Sequence, residues 1–469
     1  MRLLLLIVVG VISLYHIMLT GMAVQRPEMR VYLPLIRDAL RVVAVICISI
    51  AARARVGFRR IVRPLLQDVR PLMISVVWFL VWGIGITYLT WGTRQQMLIG
   101  VKYDIRFFLL GLLAVVGWWR LSIIYTTSTK KSLEQDSLNG SPLLLIEKYT
   151  AYIWRWLVGI IAVGFLWQIA KVQYPDLFMK FGYGPVGDYA YGEHPPIRYR
   201  TWPGGTMRRS GIFAGPNNYG YFLVAFFGFF LVTAKRAVEL LKKRYTTKQR
   251  TILLWCMVVL YAAAVLLSFS RGALIGCLVQ LGILWRQARK YVATYMRTTT
   301  VAPAMVKRRT RRWGRVITTM IVLVGSVVWR MSVLKWWSTM EHFQRSREGI
   351  ELVVAQPRWY GLGSSGPAVH RGGKYLPENM YIQVLLDTGW IWFALWIVAL
   401  GWRIVRGIRL AHLYKSWTMW WLRAGLIGLS IEGVFLHVWE DSMVNMLFLG
   451  LMGVLIGVLL QQRERSNRQ

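Results

Sequence analysis

Runs of about 20 apolar residues recur along the whole chain, and this feature restricts the fold more than any other. A helix of that length crosses a hydrocarbon core of roughly 30 Å. A transmembrane β-barrel would instead show short segments of alternating hydrophobicity. Because 56% of the 469 residues are hydrophobic, little polar surface remains for a soluble domain. The sequence therefore predicts an all-α, polytopic integral membrane protein, with residues 1–469 forming one membrane domain.

The apolar runs predict about twelve transmembrane helices. Lys and Arg collect between them and account for most of the net charge of +38. Basic loops favour the cytoplasmic side, and with both termini in the cytoplasm all the basic segments lie there. The charge therefore indicates topology and contact with anionic lipids, and no nucleic-acid motif is present. The predicted spans are 2–24, 33–52, 71–92, 104–125, 150–172, 210–234, 251–269, 271–287, 316–334, 379–402, 420–437 and 441–460; the basic segments are 53–70, 235–250, 286–315, 403–415 and 461–469.

This topology places two long loops, 173–209 and 335–378, on the outer face. Loops of such length between short connections are usually functional or disordered. The N-terminal apolar stretch is expected to be an uncleaved first helix rather than a signal peptide, because it is long and lacks a clear cleavage site. The three cysteines lie apart in apolar runs, so we interpret Cys47, Cys256 and Cys277 as buried hydrophobic residues without metal-binding spacing.

Two arginine motifs are predicted on the outer face. The first is RRSGIFAGPNNYG (Arg208–Gly220), in which Gly-Pro breaks the start of a span and Asn217 and Asn218 offer amides. Irregular backbone of this kind is tolerated where it lines a cavity. The second is Ser270-Arg271-Gly272, between two apolar spans. Burying Arg271 costs at least a few kcal/mol, so it needs an anionic partner, and arginine suits phosphate. The alternative is that these arginines are interfacial anchors.

The third motif lies in 359–392, where a glycine-rich loop carrying His370 leads to Glu378 and Asn379 at the start of an apolar helix. A carboxylate or an imidazole here can act as general base on a sugar hydroxyl. The alternative is a simple helix cap, because Glu and Asn are common at helix starts. Glu432, inside the eleventh predicted span, can balance the arginines or serve in structural pairing.

Taken together and in this order, the three motifs resemble the O-antigen ligase and O-antigen polymerase superfamily of bacterial membrane glycosyltransferases. The residues that carry the resemblance are Arg208–Gly220, SRGALIG (Ser270–Gly276) and YGLGSSGP followed by PENMYIQVLLDTGWIW (Pro377–Trp392). The resemblance covers roughly residues 200–400. It implies a GT-C-like fold and an enzyme that uses neither a nucleotide sugar nor an obligatory metal or other cofactor.

The resemblance also implies the reaction and its residues. A glycan passes from an undecaprenyl diphosphate carrier to an acceptor hydroxyl at the outer face of the bacterial cytoplasmic membrane. Arg208 or its neighbour Arg209, together with Arg271, match the diphosphate-binding arginines. The ligase pattern has His-Asn, nine residues and then Gly; here Glu378-Asn379 precede Gly389 by that spacing. His370 lies eight residues before Glu378 and does not match the motif, so it is a separate candidate from the residues themselves. The expected substrate-lining residues are Asn217, Asn218 and Tyr381.

Glutamate at the position of the ligase histidine favours a polysaccharide polymerase over a ligase that transfers glycan to a lipid or protein. A flippase for lipid-linked oligosaccharides is the alternative from another class, but the chain shows no repeated halves and its polar motifs gather at one face. A Glu at a helix N-terminus is a weak base, since the helix stabilises its anion. Burial or a nearby carboxylate has to raise its pKa again for it to act as a base.

Overall fold

The computed structural model describes residues 142–184, 197–200, 207–213, 215–239, 246–298, 325–326, 336–355, 365, 377–414, 417–438 and 444. The first four predicted spans, Cys47, His370 and the basic tail lie outside these residues. Nearly all of the predicted spans 316–334 and 441–460 lies outside them too. The count of twelve spans therefore stays a prediction.

Within the described residues the fold is helical apart from one short hairpin, in agreement with the predicted all-α class. Two helices, Trp154–Gln173 and Thr247–Ser268, are long and apolar enough to cross a membrane. The hairpin is antiparallel and pairs Tyr199 with Arg208. The elements are α1 Pro142–Gln173, α2 Pro175–Lys180, β1 Tyr199–Arg200, β2 Met207–Arg208, α3 Pro216–Glu239, α4 Thr247–Ser268, α5 Arg271–Thr298, α6 Trp336–Ala355, α7 Met380–Tyr414 and α8 Trp417–Glu432.

Helix α3 is the centre of the described bundle. Its residues between Tyr219 and Phe230 are almost all buried, so it is apolar on every face, as expected of a core helix. Three successive backbone carbonyls of α3 accept bonds from side chains of three neighbouring helices. Tyr261 of α4 donates to Leu223, Gln280 Nε2 of α5 donates to Val224 at 2.5 Å, and Trp421 Nε1 of α8 donates to Ala225 at 3.1 Å. These bonds satisfy polar side chains that a buried interface would otherwise leave unpaired.

Helices α3, α5 and α8 cross at glycines. A Cβ on Gly428 of α8 would lie 2.7 Å from Nε2 of Gln280 and 3.0 Å from the carbonyl oxygen of Gly276, both on α5. A Cβ on Gly228 of α3 would lie 2.8 Å from Cδ1 of Trp421. Since these distances are shorter than any normal carbon contact, only glycine permits this approach of the backbones.

Gly428→Ala is therefore expected to lower the free energy of unfolding by about 1–3 kcal/mol, the usual cost of overpacking a core. Gly282→Ala, on α5, is the matched control, because a Cβ there meets nothing within 4 Å. Thermal unfolding of the two purified variants in detergent measures the difference. Equal unfolding midpoints for both would contradict the crossing described here.

The predicted second external loop, 335–378, contains a helix, α6, at Trp336–Ala355. Ion pairs one helical turn apart explain it: Arg345 pairs with Glu341 at 2.5 Å and Arg347 with Glu351 at 2.7 Å. Such pairs stabilise a helix even where no long apolar stripe exists. The predicted first loop likewise contains α2 and the hairpin.

Helices α5 and α7 both run past their predicted ends, to Thr298 and Tyr414. Basic residues end the apolar runs but are good helix formers, and they interact favourably with a helix C-terminus. Helix α7 kinks at Gly389, whose φ of 75° suits a residue without a Cβ. Helix α8 ends early, at Glu432, where Gly433 opens a turn.

Candidate functional site

The N-terminal ends of α3 and α5 meet at one end of the bundle. A Cβ on Gly220, in the first turns of α3, would lie 3.0 Å from the Cβ of Ala273 in the first turn of α5. Proline at the first position of α3 supports the helix start, because its missing N–H has no partner there in any helix. Helix N-termini carry partial positive charge and favour anions.

The C-terminal end of α8 joins this region to the start of α7. A Cβ on Gly272 would lie 3.1 Å from Cγ of Glu432, the last residue of α8. The carbonyl of Gly433, one residue further, accepts a bond of 3.0 Å from the N–H of Met380, the first residue of α7. Three helix starts, those of α3, α5 and α7, are thus gathered around one helix end.

Arg208 links two of these elements. Its Nε donates to the carbonyl of Ser268 at the end of α4, at 3.1 Å, and its Nη2 donates to Oδ1 of Asn217 in the first turn of α3, at 2.6 Å. Burial, and then the positive charge of Arg271, lower the pKa of Arg208 to about 10, with Tyr221 acting in the opposite direction. Arg208 therefore stays charged at neutral pH.

The charge of Arg271 interacts with the charges of both Arg208 and Glu378. It is the first residue of α5, and the predicted break before it is confirmed: α4 ends at Ser268 and Phe269 adopts a left-handed φ of 48°. The charge of Arg271 repels that of Arg208, and Glu378 attracts it. Two like charges held together in a partly buried place favour an anion between them.

Glu378 itself contacts α6. Its Oε2 lies 2.5 Å from Nδ1 of His342, and its Oε1 lies 3.7 Å from Nη1 of Arg345. Its φ of 49° is left-handed, which costs a residue with a Cβ about 1–3 kcal/mol and is typical of functional sites. An apolar cluster holds α6 against α7 close to this contact: Val353, Ile382, Leu385 and Leu386.

The pKa of Glu378 is lowered. Burial acts to raise it, but the contact with His342 and then the charge of Arg345 outweigh burial. Glu378 is consequently ionised at neutral pH and holds a proton weakly. The sequence-based requirement that its pKa be raised is not met, because an imidazole and a guanidinium, and not a second carboxylate, contact it.

His437 lies beside Glu378 and His342, in the turn after α8. Burial lowers the pKa of His437 to about 4; Glu378 acts to raise it and His342 to lower it. His437 is therefore neutral at physiological pH. Its Nε2 has no hydrogen-bond partner among the described residues.

Acidification from pH 7 to pH 5 is expected to destabilise the protein through His437. The unfolded chain binds a proton near pH 6.5 and the folded chain only near pH 4, so the folded state loses stability as the pH falls between these values. At about 1.4 kcal/mol for each pKa unit, the loss between pH 7 and pH 5 is about 2 kcal/mol. Thermal unfolding of wild type and His437→Gln at both pH values measures it. A variant that loses as much stability as wild type would contradict this role.

The other predicted residues have mixed outcomes. Oδ1 of Asn379 accepts bonds from the N–H groups of Tyr381 (2.9 Å) and Ile382 (3.3 Å), so Asn379 caps α7, as the alternative interpretation proposed. The hydroxyl of Tyr381 donates to the carbonyl of Ser430 at 2.5 Å and is thereby used in helix packing. Asn217 binds Arg208, and Asn218 lies beside Gly215 at the same helix start.

Arg209 lies apart from Arg208. Its N–H donates to the carbonyl of Leu267, and it lines a cavity of about 250 Å³ between α1 and α4, together with Gln168 and Tyr219. The nearest described charge that acts on Arg209 is the positive one of Arg198. Of the two adjacent arginines, therefore, Arg208 belongs with Arg271 and Arg209 faces a separate cavity.

Sequence reasoning missed His342, Arg345 and His437. His342 and Arg345 are three residues apart, which places both on one face of α6. The alternating charges of α6 were the available signal, since Glu341, Arg345, Arg347 and Glu351 are spaced for helical pairs. Nothing in the sequence indicates that His437 lies beside Glu378.

Glu432 is fully buried, and both of its carboxylate oxygens lie without a hydrogen-bond partner among the described residues. No group of three His, Cys, Asp or Glu side chains in this part of the chain is arranged to hold a metal ion. Among the described residues, Glu378 is the carboxylate that contacts both His342 and Arg345.

No protein-family model, curated protein or solved structure matches this chain. Function therefore has to be inferred from the residues of the site.

Proposed function

We propose that this protein is a glycosyltransferase that moves a glycan from a polyprenyl diphosphate carrier to an acceptor hydroxyl and thereby extends a cell-surface polysaccharide. The observation that carries the proposal is the electrostatic grouping of Arg208, Arg271 and Glu378 at the gathered helix starts. It provides two fixed cations for a diphosphate and one carboxylate on the side of the acceptor.

The arginine side supports binding of the donor. A diphosphate leaving group needs its developing negative charge neutralised, and pre-positioned cations in a water-poor site do this efficiently. Asn217 and the carbonyl of Ser268 hold the guanidinium of Arg208 through two bonds, so it is already oriented before a substrate arrives. The N-terminal ends of α3 and α5 add partial positive charge in the same place.

In the proposed reaction the acceptor oxygen bonds to the anomeric carbon of the donor glycan. The bond from that carbon to the diphosphate oxygen breaks, and its electron pair leaves with the polyprenyl diphosphate. The proton of the acceptor hydroxyl passes to a base on the side of Glu378. The proposed location is the outer face of the bacterial cytoplasmic membrane, with both termini in the cytoplasm.

The test is transfer by the purified full-length protein in detergent, with a polyprenyl-diphosphate-linked glycan as donor. Longer carrier-linked chains and free polyprenyl diphosphate are expected, measured by mass spectrometry. Detergent removes the compartments, so a flippase would leave the donor unchanged, and that result would overturn the proposal. An acceptor lipid without diphosphate, supplied in parallel, distinguishes a ligase from a polymerase.

A further inference from the structure

The contact between Glu378 and His342 raises the question of which group takes the proton. A carboxylate that is ionised among cations is a poor base, since the same cations that keep it charged oppose protonation. The imidazole beside it is the other group at this contact that can accept a proton, through whichever ring nitrogen carries none. Both groups come from well-defined positions: His342 from the second turn of α6 and Glu378 from the residue pair before α7.

The geometry selects one tautomer of His342. Oε2 of Glu378 lies 2.5 Å from Nδ1 at ion-pair distance, although the ring is not aligned for a hydrogen bond from Nδ1 to it. A carboxylate this close favours the neutral tautomer that carries its proton on Nδ1. The lone pair is then on Nε2, on the far side of the ring. The side chain is 28% exposed, so the ring has an accessible edge.

We propose that His342 accepts the proton of the acceptor hydroxyl through Nε2, and that Glu378 positions the imidazole and stabilises it once it is protonated. This inference rests on the proposed transferase function and replaces its unspecified base with a named one. The proton ends on Nε2, and the imidazolium shares its charge with the carboxylate across the Nδ1 contact. Glu378 thus occupies the motif position where the ligase pattern has histidine, and the imidazole of His342 comes from a different helix, α6.

The neighbouring charged groups fit this division of roles. Arg345, three residues after His342 on α6, lies 3.7 Å from the other oxygen of Glu378 and fixes the carboxylate from its second side. Arg271 attracts the same carboxylate from the donor side. His437 is the remaining titratable neighbour, and its buried Nε2 makes it less accessible to a substrate than His342.

The experiment compares His342→Gly, His437→Gly and wild type in the transfer assay, with and without added imidazole. His342→Gly is expected to lose about 10²-fold in kcat with little change in donor KM, the scale of a lost general base. Free imidazole at millimolar concentration is expected to raise the kcat of His342→Gly at least tenfold, because it enters the space left by the side chain. His437→Gly is the matched control and is expected to gain nothing from imidazole.

Rescue confined to His342→Gly supports the inference. If wild type transfers glycan and His342→Gly does so at the same rate, the inference is overturned and the proposed function stands. The same holds if His342→Gly is folded and loses activity that imidazole does not restore. No transfer by wild type overturns both. Histidine ¹⁵N NMR of the full-length protein supplies a readout without turnover. Glu378→Gln is expected to change the Nδ1 signal of His342, and an unchanged signal would also overturn the inference.

Discussion

Arg271→Ala is expected to lower the rate of glycan transfer by about 10²–10³-fold, the loss typical of removing one preorganised group that stabilises developing negative charge. Arg208→Ala is expected to act similarly, since Ser268 and Asn217 hold the Arg208 guanidinium at the same gathered helix starts. Arginine-to-lysine changes at these positions are expected to recover only part of the rate, because lysine lacks the planar, bidentate donor geometry. Rates measured with saturating acceptor and variable donor give the result.

The control for the arginine variants is Arg347→Ala. Arg347 lies on α6 near the site, but it is 81% exposed, and in the described part of the chain it pairs with Glu351 of its own helix. An exposed pair of this kind contributes little, so near-wild-type transfer is expected. If Arg347→Ala lost as much activity as Arg271→Ala, the effect would come from general loss of positive charge and not from a diphosphate site.

Glu378→Gln is expected to lower kcat by roughly 10³-fold, although glutamine fills the same space. The amide cannot stabilise a protonated His342 and leaves the charges of Arg345 and Arg271 unbalanced. The rate of the double variant with His342→Gly is expected to be close to that of the slower single variant, because groups that act as one unit are not additive. Single-turnover transfer by the four proteins measures this.

The control for Glu378→Gln is Glu351→Gln, on α6. Glu351 is 58% exposed and pairs with Arg347 one helical turn earlier. Wild-type transfer by this variant is expected. If the losses of Glu378→Gln and His342→Gly multiplied in the double variant, the two residues would act independently, contrary to the contact between them.

Local signals in the sequence predicted the helix starts well. Pro216 begins α3 because a proline ring suits the first turn and has no N–H to leave unpaired. The break before Arg271 was visible as a polar Ser-Arg pair between apolar runs. The Asn379 cap was likewise predictable, since a side-chain oxygen there satisfies the free N–H groups of α7.

The site was less predictable because its pairs come from distant parts of the chain. Arg208 and Arg209 are adjacent in sequence, and only the hairpin and loop geometry separates Arg208, bound to Asn217, from Arg209, which lines another cavity. Helix α6 lies in a segment whose polar composition predicts a connection between spans, and so the sequence does not identify His342 and Arg345 as site residues.

The sequence by itself determined the helical class, the apolar spans among the described residues and the three polar motifs, because hydrophobic length and helix-breaking residues act locally along the chain. Only the tertiary structure decided the protonation state of Glu378. Its ionisation depends on which groups contact it, and His342 and Arg345 reach it from α6, a helix in a different part of the chain. A pKa is a property of packed neighbours, and no spacing within one motif can specify it.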